Sequence, residues 1–350
     1  MNILIVKMSA IGDVIHTLPA LNAIRDHFPK ARITWLVEEA AADLVIGHSS
    51  LDRVIVSKRK RWVKQLFSSS FFSAFKNILS FVRELRDTQY DAVIDFQGLL
   101  KSGVMVMLAK GKEKIGFDKG MQHAESSHLF YNKRIPPVSM EIHALKRGLM
   151  MIQALGVHTD KVEYRLPVTR DDKASIKTLL NKNGVSDEDR VICINPQATW
   201  ETKLWDDGKF AALSDQIQKH CKARIVFTGG PEDRPVIDTI IAMTKKSCLN
   251  LAGRTTLKTL AALYERADLL VTTDTGPMHL CAATGTRVVA IFGSTAPWRT
   301  GPYGCDHVVV RSNLGCSPCF KRECSHKNCM ESISVDQVMS AVIKQIGSAI

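Results

Sequence analysis

Apolar segments of strand length alternate with segments of helical spacing along almost the whole chain, and this alternation limits the fold more than any other feature. Strands are predicted at 2–6, 32–37, 53–56, 91–96 and 114–117, and again at 191–195, 224–228, 269–272 and 287–292. Strands that alternate with helices form parallel sheets with right-handed crossovers. The pattern occurs twice in 350 residues, a length that exceeds the usual single domain. We therefore predict an α/β protein of two Rossmann-like domains whose parallel sheets face a central cleft.

A polar stretch at 160–189, rich in turn-forming residues, separates the two halves. It predicts an N-terminal domain over 1–165, a linker region over 166–188 and a C-terminal domain over 189–331. Residues 332–350 have the spacing of a final helix. This helix could pack back on the N-terminal domain.

The net charge of +12 points to an anionic partner, and this charge is unevenly distributed. Between Lys58 and Asp87, eight Lys or Arg face two acidic residues, a local charge of +6. The same segment holds six large aromatic residues, Trp62, Phe67, Phe71, Phe72, Phe75 and Phe81. This mixture suits an anionic membrane surface or an anionic amphiphile; the alternative is a solvated basic helix with its aromatics in the core. Since the sequence has neither a bilayer-spanning stretch nor a secretory leader, we expect a cytoplasmic protein.

The segment Asp274-Thr275-Gly276-Pro277-Met278-His279 joins a predicted strand to a predicted helix. Thr275 suits the N-cap and Pro277 the first turn, where its missing N–H is not needed. Backbone N–H groups at the positive end of a helix bind phosphate. Asp274 and His279 flank this turn and can contact hydroxyls or phosphates, so the segment predicts a nucleotide-linked substrate.

The loop after the first strand contains Ser9, Gly12 and Asp13. Small residues permit close approach of a ligand, and ligands in open α/β sheets bind beyond the carboxyl ends of strands. Asp13 is a candidate general base, or it simply caps a helix.

Two loops of the second half also follow predicted strands. Thr199 and Lys203 suit a phosphate, although an exposed loop lysine is common on any protein surface. In the turn Gly229-Gly230-Pro231-Glu232, the carboxylate of Glu232 suits ribose hydroxyls, although such a turn is often only a turn.

Five of the nine cysteines crowd between Cys305 and Cys329. The last four, Cys316, Cys319, Cys324 and Cys329, have the spacing C-x2-C-x4-C-x4-C. This spacing suits a structural zinc ion, as in knuckles that bind nucleic acid, or simply a reduced thiol-rich loop. A Walker lysine motif, GxGxxG and HExxH are all absent from the sequence, which argues against P-loop NTPases and typical dehydrogenases.

Several motifs carry a resemblance to a known family: KMSAIGDV at 7–14, HTLPA at 16–20, WLVEE at 35–39, KRW at 60–62, YDAVIDFQGL at 90–99, LFYN at 129–132 and DTGPMH at 274–279. In this order they resemble the ADP-heptose:lipopolysaccharide heptosyltransferases of glycosyltransferase family 9, and most closely the heptosyltransferase I class. The cysteine-rich tail is more similar to the second class, so the subtype stays open.

The resemblance implies the GT-B fold and an inverting transfer, without metal or cofactor, of heptose from ADP-heptose to the Kdo sugar of the lipid A core. It implies that Asp13 is the general base and that Lys203 stabilises the leaving diphosphate. The donor-binding residues that it implies are Ser9, Gly12, Thr199, Glu232, Asp274, Thr275, Gly276 and His279.

The implied acceptor, Kdo2-lipid A, carries carboxylates and phosphates and lies at the cytoplasmic face of the inner membrane. The candidate acceptor-binding residues are Lys60, Arg61, Lys64, His143 and Arg147. The alternatives are heptosyltransferase II, or another GT-B enzyme that adds a sugar to a different core acceptor. A nucleic-acid-binding protein would leave Asp13, Lys203 and Asp274 without a role, so we expect no nucleic-acid partner.

Overall fold

The computed structural model describes residues 1–66, 71–121, 125–304 and 306–347. Phe67, Cys305 and the last residues of the predicted final helix, 348–350, lie outside the described residues. The chain divides into two compact units, the N-terminal unit Met1–Pro167 and the C-terminal unit Val168–Ile350.

The N-terminal unit alternates strands and helices as predicted. Its strands are β1 Asn2–Val6, β2 Arg32–Glu38, β3 Arg53–Ser57, β4 Tyr90–Asp95, β5 Gly111–Phe117 and β6 Lys133–Ile135. Its helices are α1 Ile11–His27, α2 Arg59–Leu66, α3 Phe71–Arg86, α4 Leu100–Leu108 and α5 Ala144–Ile152. All strand pairs are parallel, in the order β3-β2-β1-β4-β5-β6.

The C-terminal unit repeats the same plan. Its strands are β7 Val191–Asn195, β8 Arg224–Phe227, β9 Leu249–Asn250, β10 Leu269–Thr273, β11 Val288–Phe292 and β12 Val308–Arg311. Its helices are α6 Arg170–Lys182, α7 Asp207–Cys221, α8 Arg234–Ala242, α9 Leu257–Arg266, α10 Gly276–Ala283, α11 Pro297–Thr300, α12 Asn328–Glu331 and α13 Val335–Gly347. The parallel sheet has the order β12-β11-β10-β7-β8-β9.

Both sheets have the strand order of the doubly wound Rossmann fold, 3-2-1-4-5-6, when the strands of each unit are counted from its own first strand. The central strands β1 and β7 are almost wholly apolar and buried, because helices cover both faces of such a sheet. The predicted fold class, α/β with two Rossmann-like parallel sheets, is confirmed.

Most of the predicted linker region and the predicted final helix belong to the C-terminal unit. Helix α6, inside the predicted linker, packs against α9, and α13 packs against α7, β11 and β12. The exact limits at 165 and 188 remain predictions.

Candidate active site

Three of the predicted site residues follow strands at the point where the strand order of their sheet reverses. This switch point lies between β1 and β4 in the N-terminal sheet and between β7 and β10 in the C-terminal sheet. Asp13 follows β1, Lys203 follows β7 and Asp274 follows β10. Because ligands of open α/β sheets bind outside the carboxyl ends of strands at the switch point, each unit has one candidate ligand-binding edge.

Asp13 lies in the first turn of α1 and is partly exposed. Its Oδ2 accepts a hydrogen bond from the backbone N–H of Ala10 at 3.1 Å, so the carboxylate caps the helix that carries it. A negative charge is favourable at this helix end. The capping role and a role as a base are compatible, since only one of the two carboxylate oxygens takes part in the cap.

The loop that precedes Asp13 is fastened to the loop after β4. The side-chain oxygen of Gln97 accepts hydrogen bonds from the backbone N–H groups of Met8, at 3.2 Å, and Ser9, at 3.0 Å. The hydroxyl of Ser9 accepts a hydrogen bond from Lys101 Nζ at 2.6 Å. Sequence reasoning did not single out Gln97 and Lys101, although the loop after β4 meets the same strand-end criterion as the loop after β1.

Gln97 is itself held in place by a buried carboxylate at the end of β4. Asp95 accepts hydrogen bonds from the backbone N–H groups of Gln97 and Gly98 and from the hydroxyls of Ser102 and Tyr131, at 2.7–3.0 Å. Burial raises the pKa of the Asp95 carboxyl, and these four donors oppose the rise. Gly98 has φ +68°, a left-handed conformation that glycine adopts without strain. The turn that carries Gln97 is therefore fixed by its sequence.

His143 lies beside the helix of Asp13. It occupies the N-cap of α5, where its Nδ1 accepts a hydrogen bond from the backbone N–H of Leu145 at 3.2 Å. Its ring centroid is 5.0 Å from that of His16, a buried residue one turn after Asp13 on α1. Arg147, one turn further along α5, donates a hydrogen bond to Met140 Sδ.

The predicted acceptor-binding cations Lys60, Arg61 and Lys64 are exposed on α2. Trp62 of the same helix is buried and lies 5.1 Å from the ring of Phe81 on α3. Contact of this basic segment with an anionic membrane surface stays a prediction. Some aromatics anchor the helices in the core, whereas the cations and other aromatics face solvent.

In the C-terminal unit, Lys203 and Asp274 form an ion pair of 2.7 Å between Nζ and Oδ2. Both side chains are largely removed from solvent, with exposed fractions of 17% and 6%. The same Oδ2 accepts a hydrogen bond from the Thr295 hydroxyl at 2.7 Å. Thr295, in the loop after β11, was missed because its sequence context resembles no phosphate-binding motif. These three side chains form a polar cluster at the switch point.

Helix α10 starts beside this cluster. Thr275 occupies its N-cap, as predicted, and its hydroxyl makes no capping hydrogen bond. Gly276 and Pro277 form the first turn, and His279 is buried one turn later. This positive helix end lies next to the ion pair and suits an anionic group.

Thr199 and Glu232 are both exposed, in the loops after β7 and β8. The neighbouring residue Asp233 stabilises the local turn, because its Oδ2 accepts a hydrogen bond from the Gly230 N–H at 2.7 Å. Burial raises the pKa of the Asp233 carboxyl. The carboxylate of Glu232 is therefore not needed for the turn.

The four spaced cysteines, Cys316, Cys319, Cys324 and Cys329, are all free thiols. Burial raises the pKa of the Cys329 thiol, and the nearby thiols of Cys319 and Cys316 raise it further. Backbone N–H groups of His326 and Lys327 lower the pKa of the Cys324 thiol. Within the described ranges, no three His, Cys, Asp or Glu side chains form a group that could hold a metal ion. Zinc binding by these four cysteines stays a hypothesis.

Known proteins show the family to which the chain belongs. Residues 78–330 match the family model of glycosyltransferase family 9 (heptosyltransferase). The chain is 30% identical over 332 residues to lipopolysaccharide heptosyltransferase 1 of Pseudomonas aeruginosa, with 93% of this chain and 88% of that protein covered. It is 25% identical over 341 residues to lipooligosaccharide heptosyltransferase 2 of Campylobacter jejuni, with 95% and 96% covered.

Solved structures give the same result. The fold is similar to that of the E. coli heptosyltransferase WaaC with ADP, with a TM-score of 0.80, 26% identity, and 99% of this chain and 100% of that chain covered. The same enzyme with ADP-2-deoxy-2-fluoro heptose gives a TM-score of 0.77 at 26% identity, with 98% and 99% covered. Fold and relatives together define a glycosyltransferase.

The chain belongs to glycosyltransferase family 9, the heptosyltransferases, as its sequence motifs predicted.

Proposed function

We propose that the protein transfers L-glycero-D-manno-heptose from ADP-heptose to Kdo of the lipid A inner core in lipopolysaccharide biosynthesis. The observation that carries the proposal is the Lys203–Asp274 pair beside the first turn of α10, in a chain that belongs to the heptosyltransferase family. The similarity to the E. coli heptosyltransferase WaaC, solved with ADP and with ADP-2-deoxy-2-fluoro heptose, supports this donor.

The C-terminal unit supplies the donor site in this proposal. As the bond between the anomeric carbon and the diphosphate breaks, negative charge grows on the leaving ADP. Lys203 and the N–H groups at the start of α10, near Thr275 and Gly276, stabilise that charge in a position fixed before the reaction. Asp274 accepts hydrogen bonds from heptose hydroxyls, and Glu232 accepts them from the ribose. Thr199 and His279 complete the contacts with the phosphates.

The N-terminal unit supplies the base. Asp13 takes the proton from the acceptor hydroxyl while its oxygen attacks the anomeric carbon from the face opposite the diphosphate. The new glycosidic bond forms, the bond to ADP breaks, and the configuration inverts. The fastening of Ser9 to Gln97 supports this role, since it holds the loop ahead of Asp13 in one conformation. Ser9 and Gly12 let the substrates approach closely.

The acceptor contributes carboxylates and phosphates, and the same unit offers cations for them. Lys60, Arg61 and Lys64 are exposed on α2, and His143 and Arg147 lie on the helix that packs against α1. Arginine and lysine bind such oxyanions by charge-assisted hydrogen bonds. These five residues are the proposed acceptor-binding set.

The protein is proposed to act at the cytoplasmic face of the inner membrane, where the lipid A acceptor is anchored. No helix in the described part of the chain has the length and apolar character to span a bilayer. Surface contact is supported by α3, whose outer side exposes Phe71, Phe72, Phe75 and Leu79 by 40–84%. The same helix carries Lys76, Arg83 and Arg86, and a helix that combines basic with exposed apolar residues suits anionic lipid headgroups.

The proposal is tested by following heptose transfer from ADP-heptose to deacylated Kdo2-lipid A with wild type, Asp13→Ala and Asp13→Asn. We expect product from the wild type and turnover reduced by about 10²–10⁴-fold in both variants, with ADP binding retained. Asp13→Asn is the matched control for folding, because its amide oxygen can still accept the Ala10 N–H but cannot take a proton. Full activity in Asp13→Asn would remove Asp13 from the role of base.

A second candidate is the addition of a later heptose, and the similarity to the Campylobacter jejuni heptosyltransferase 2 favours it. The same assay separates the two reactions when it is run with an acceptor that already bears one heptose. Product only with this acceptor would move the assignment to the second step. Absence of product and of ADP release with both acceptors would contradict a heptosyltransferase reaction on the inner core.

A further inference from the structure

Two cations lie over the ring of Trp200, in the loop that joins β7 to α7. Lys203 Nζ is 4.5 Å from the ring centroid, and the guanidinium carbon of Arg322 is 5.2 Å from it. Arginine stacks well on aromatic faces because its guanidinium is planar and weakly hydrated. The two cationic groups are therefore brought to one place by a shared aromatic ring.

Arg322 belongs to the cysteine-rich segment, which the proposed function leaves without a role. This segment is fastened to the loop after β11, since Ser294 O accepts hydrogen bonds from the backbone N–H groups of Cys319, at 3.1 Å, and Phe320, at 2.8 Å. The hydroxyl of Ser317 donates to Gly293 O at 2.6 Å. The position of the segment relative to the sheet edge is thus fixed by several hydrogen bonds.

The segment is also fastened directly beside Lys203. The hydroxyl of Thr202 donates to Lys321 O at 2.7 Å, and it lies 3.0 Å from the hydroxyl of Ser294. Thr202 is buried. The hydrogen bond between Thr202 and Lys321 therefore joins the residue before Lys203 to the residue before Arg322.

The charges of this region call for a second cation. Lys203 forms an ion pair with Asp274, so only part of its charge is available to a diphosphate. A diphosphate ester carries about two negative charges at neutral pH, more than the partial charge of about +0.5 at a helix N-terminus can balance. Arg322 is exposed and forms no ion pair with any acidic side chain in the described part of the chain.

We propose that Arg322 is a donor-site residue that binds the diphosphate of the nucleotide sugar, and that the cysteine-rich segment serves to present it. Trp200 holds the guanidinium ready in the absence of substrate, which lowers the entropy lost when the diphosphate binds. A guanidinium offers two parallel N–H donors to phosphate oxygens, which an ammonium group does not. The inference rests on the proposed ADP-heptose donor.

The test is calorimetric titration of the full chain with ADP and with AMP, using wild type, Arg322→Ala, Arg322→Lys and Lys321→Ala. Lys321 is the matched control, because it is an exposed cation one residue away that does not lie over Trp200. We expect Arg322→Ala to weaken ADP binding by about ten-fold or more, with a smaller loss for AMP, since a hydrogen bond to a charged group is lost. Arg322→Lys should retain part of the affinity, and Lys321→Ala should stay within about two-fold of wild type.

Wild-type affinity for ADP in Arg322→Ala would overturn the inference and leave the proposed function standing. An equal loss in Lys321→Ala would also overturn it, because a general field effect would then explain both variants. Failure of the wild type to bind ADP would instead contradict the proposed donor, and the inference with it. Circular dichroism of each variant establishes that the fold is intact.

Discussion

Gln97 illustrates how a residue that need not touch the substrate can control the site. Its side-chain oxygen accepts two backbone hydrogen bonds from the loop ahead of Asp13, and its own backbone N–H is held by Asp95. We expect Gln97→Ala to lower kcat by about ten-fold or more, because a misplaced base costs rate steeply, with KM for ADP-heptose changed by less than about three-fold. Steady-state kinetics with varied donor measures both constants.

The conservative variant Gln97→Glu separates positioning from a general loss of stability. A carboxylate oxygen can accept the same two N–H groups, so this variant should recover most of the kcat that Gln97→Ala loses. Equal losses in both variants, or a loss confined to KM, would contradict the positioning role of Gln97.

At the scale of single residues, the sequence predicted the positions of the site better than its contacts. The sequence predicted that Asp13, Lys203 and Asp274 follow strands, and in the structure they follow β1, β7 and β10. It did not predict that Lys203 and Asp274 pair with each other, or that Thr295 joins them, because residues more than 20 positions apart meet only through the strand order of the sheet. The chemical roles of these residues stay predictions until they are measured.

At the scale of elements, α3 has two apolar faces, and only one of them is used by the fold. Ala74, Phe81 and Leu85 are buried, whereas Phe72 is 84% exposed and Phe75 is 51% exposed on the other side. Exposed apolar stripes of this kind mark interaction surfaces. The proposed contact is with anionic lipid at the inner membrane.

The double variant Phe72→Ser/Phe75→Ser should therefore weaken binding to vesicles that contain anionic phospholipid. We expect a loss of about ten-fold or more, since two aromatic side chains no longer enter the interface. Cosedimentation with vesicles measures it. Met243→Ser on the C-terminal unit is the matched control, because Met243 is also an exposed apolar residue and lies just after α8. Unchanged binding in the double variant would rule out this stripe as the membrane contact.

Element boundaries were predictable wherever periodicity was strong. β1 and β7 begin and end at the predicted residues. The short helical turn after α5 ends at Gly156, which has the left-handed conformation. The edge strands β6 and β12 and the short helix α2 were not predicted. β6 has three residues, two of them basic, so it carries no alternation by which sequence could reveal it. Four of the eight residues of α2 are charged, and Trp62 is the one buried residue among 59–65.

At the scale of the whole molecule, the two units share one strand order. This plan was predictable because a parallel βα alternation allows few topologies. The placement of the cysteine-rich segment was not, since it depends on hydrogen bonds that Ser294 O accepts from Cys319 and Phe320 and on one that the Thr202 hydroxyl donates to Lys321 O, rather than on any periodic pattern. What the sequence specifies most strongly is the sheet, and what it specifies least is the loops that carry the chemistry.

Surface carboxylates that accept hydrogen bonds in both units make the stability of the fold depend on pH. Hydrogen bonds from Arg53 lower the pKa of the Asp87 carboxyl in the N-terminal unit, and hydrogen bonds from Ser186 lower that of Asp189 in the C-terminal unit. A carboxyl whose pKa is lower in the folded state stabilises the fold above its ordinary value of 3.8, and this contribution is lost as pH falls through the lowered value. Acidification also increases a net charge that is already +12.

We therefore expect the melting temperature to fall as pH is lowered from 5 towards 2, and Asp87→Asn to be the sensitive variant. At pH 7 this substitution should cost less than about 1 kcal/mol, because the pair with Arg53 is exposed to solvent. The difference between wild type and Asp87→Asn should then vanish at the acidic end, where the wild-type carboxyl is protonated as well. Thermal unfolding followed by circular dichroism across this range measures both effects. A difference that persists undiminished at pH 2 would mean that Asp87 stabilises the N-terminal unit through packing rather than through its charge.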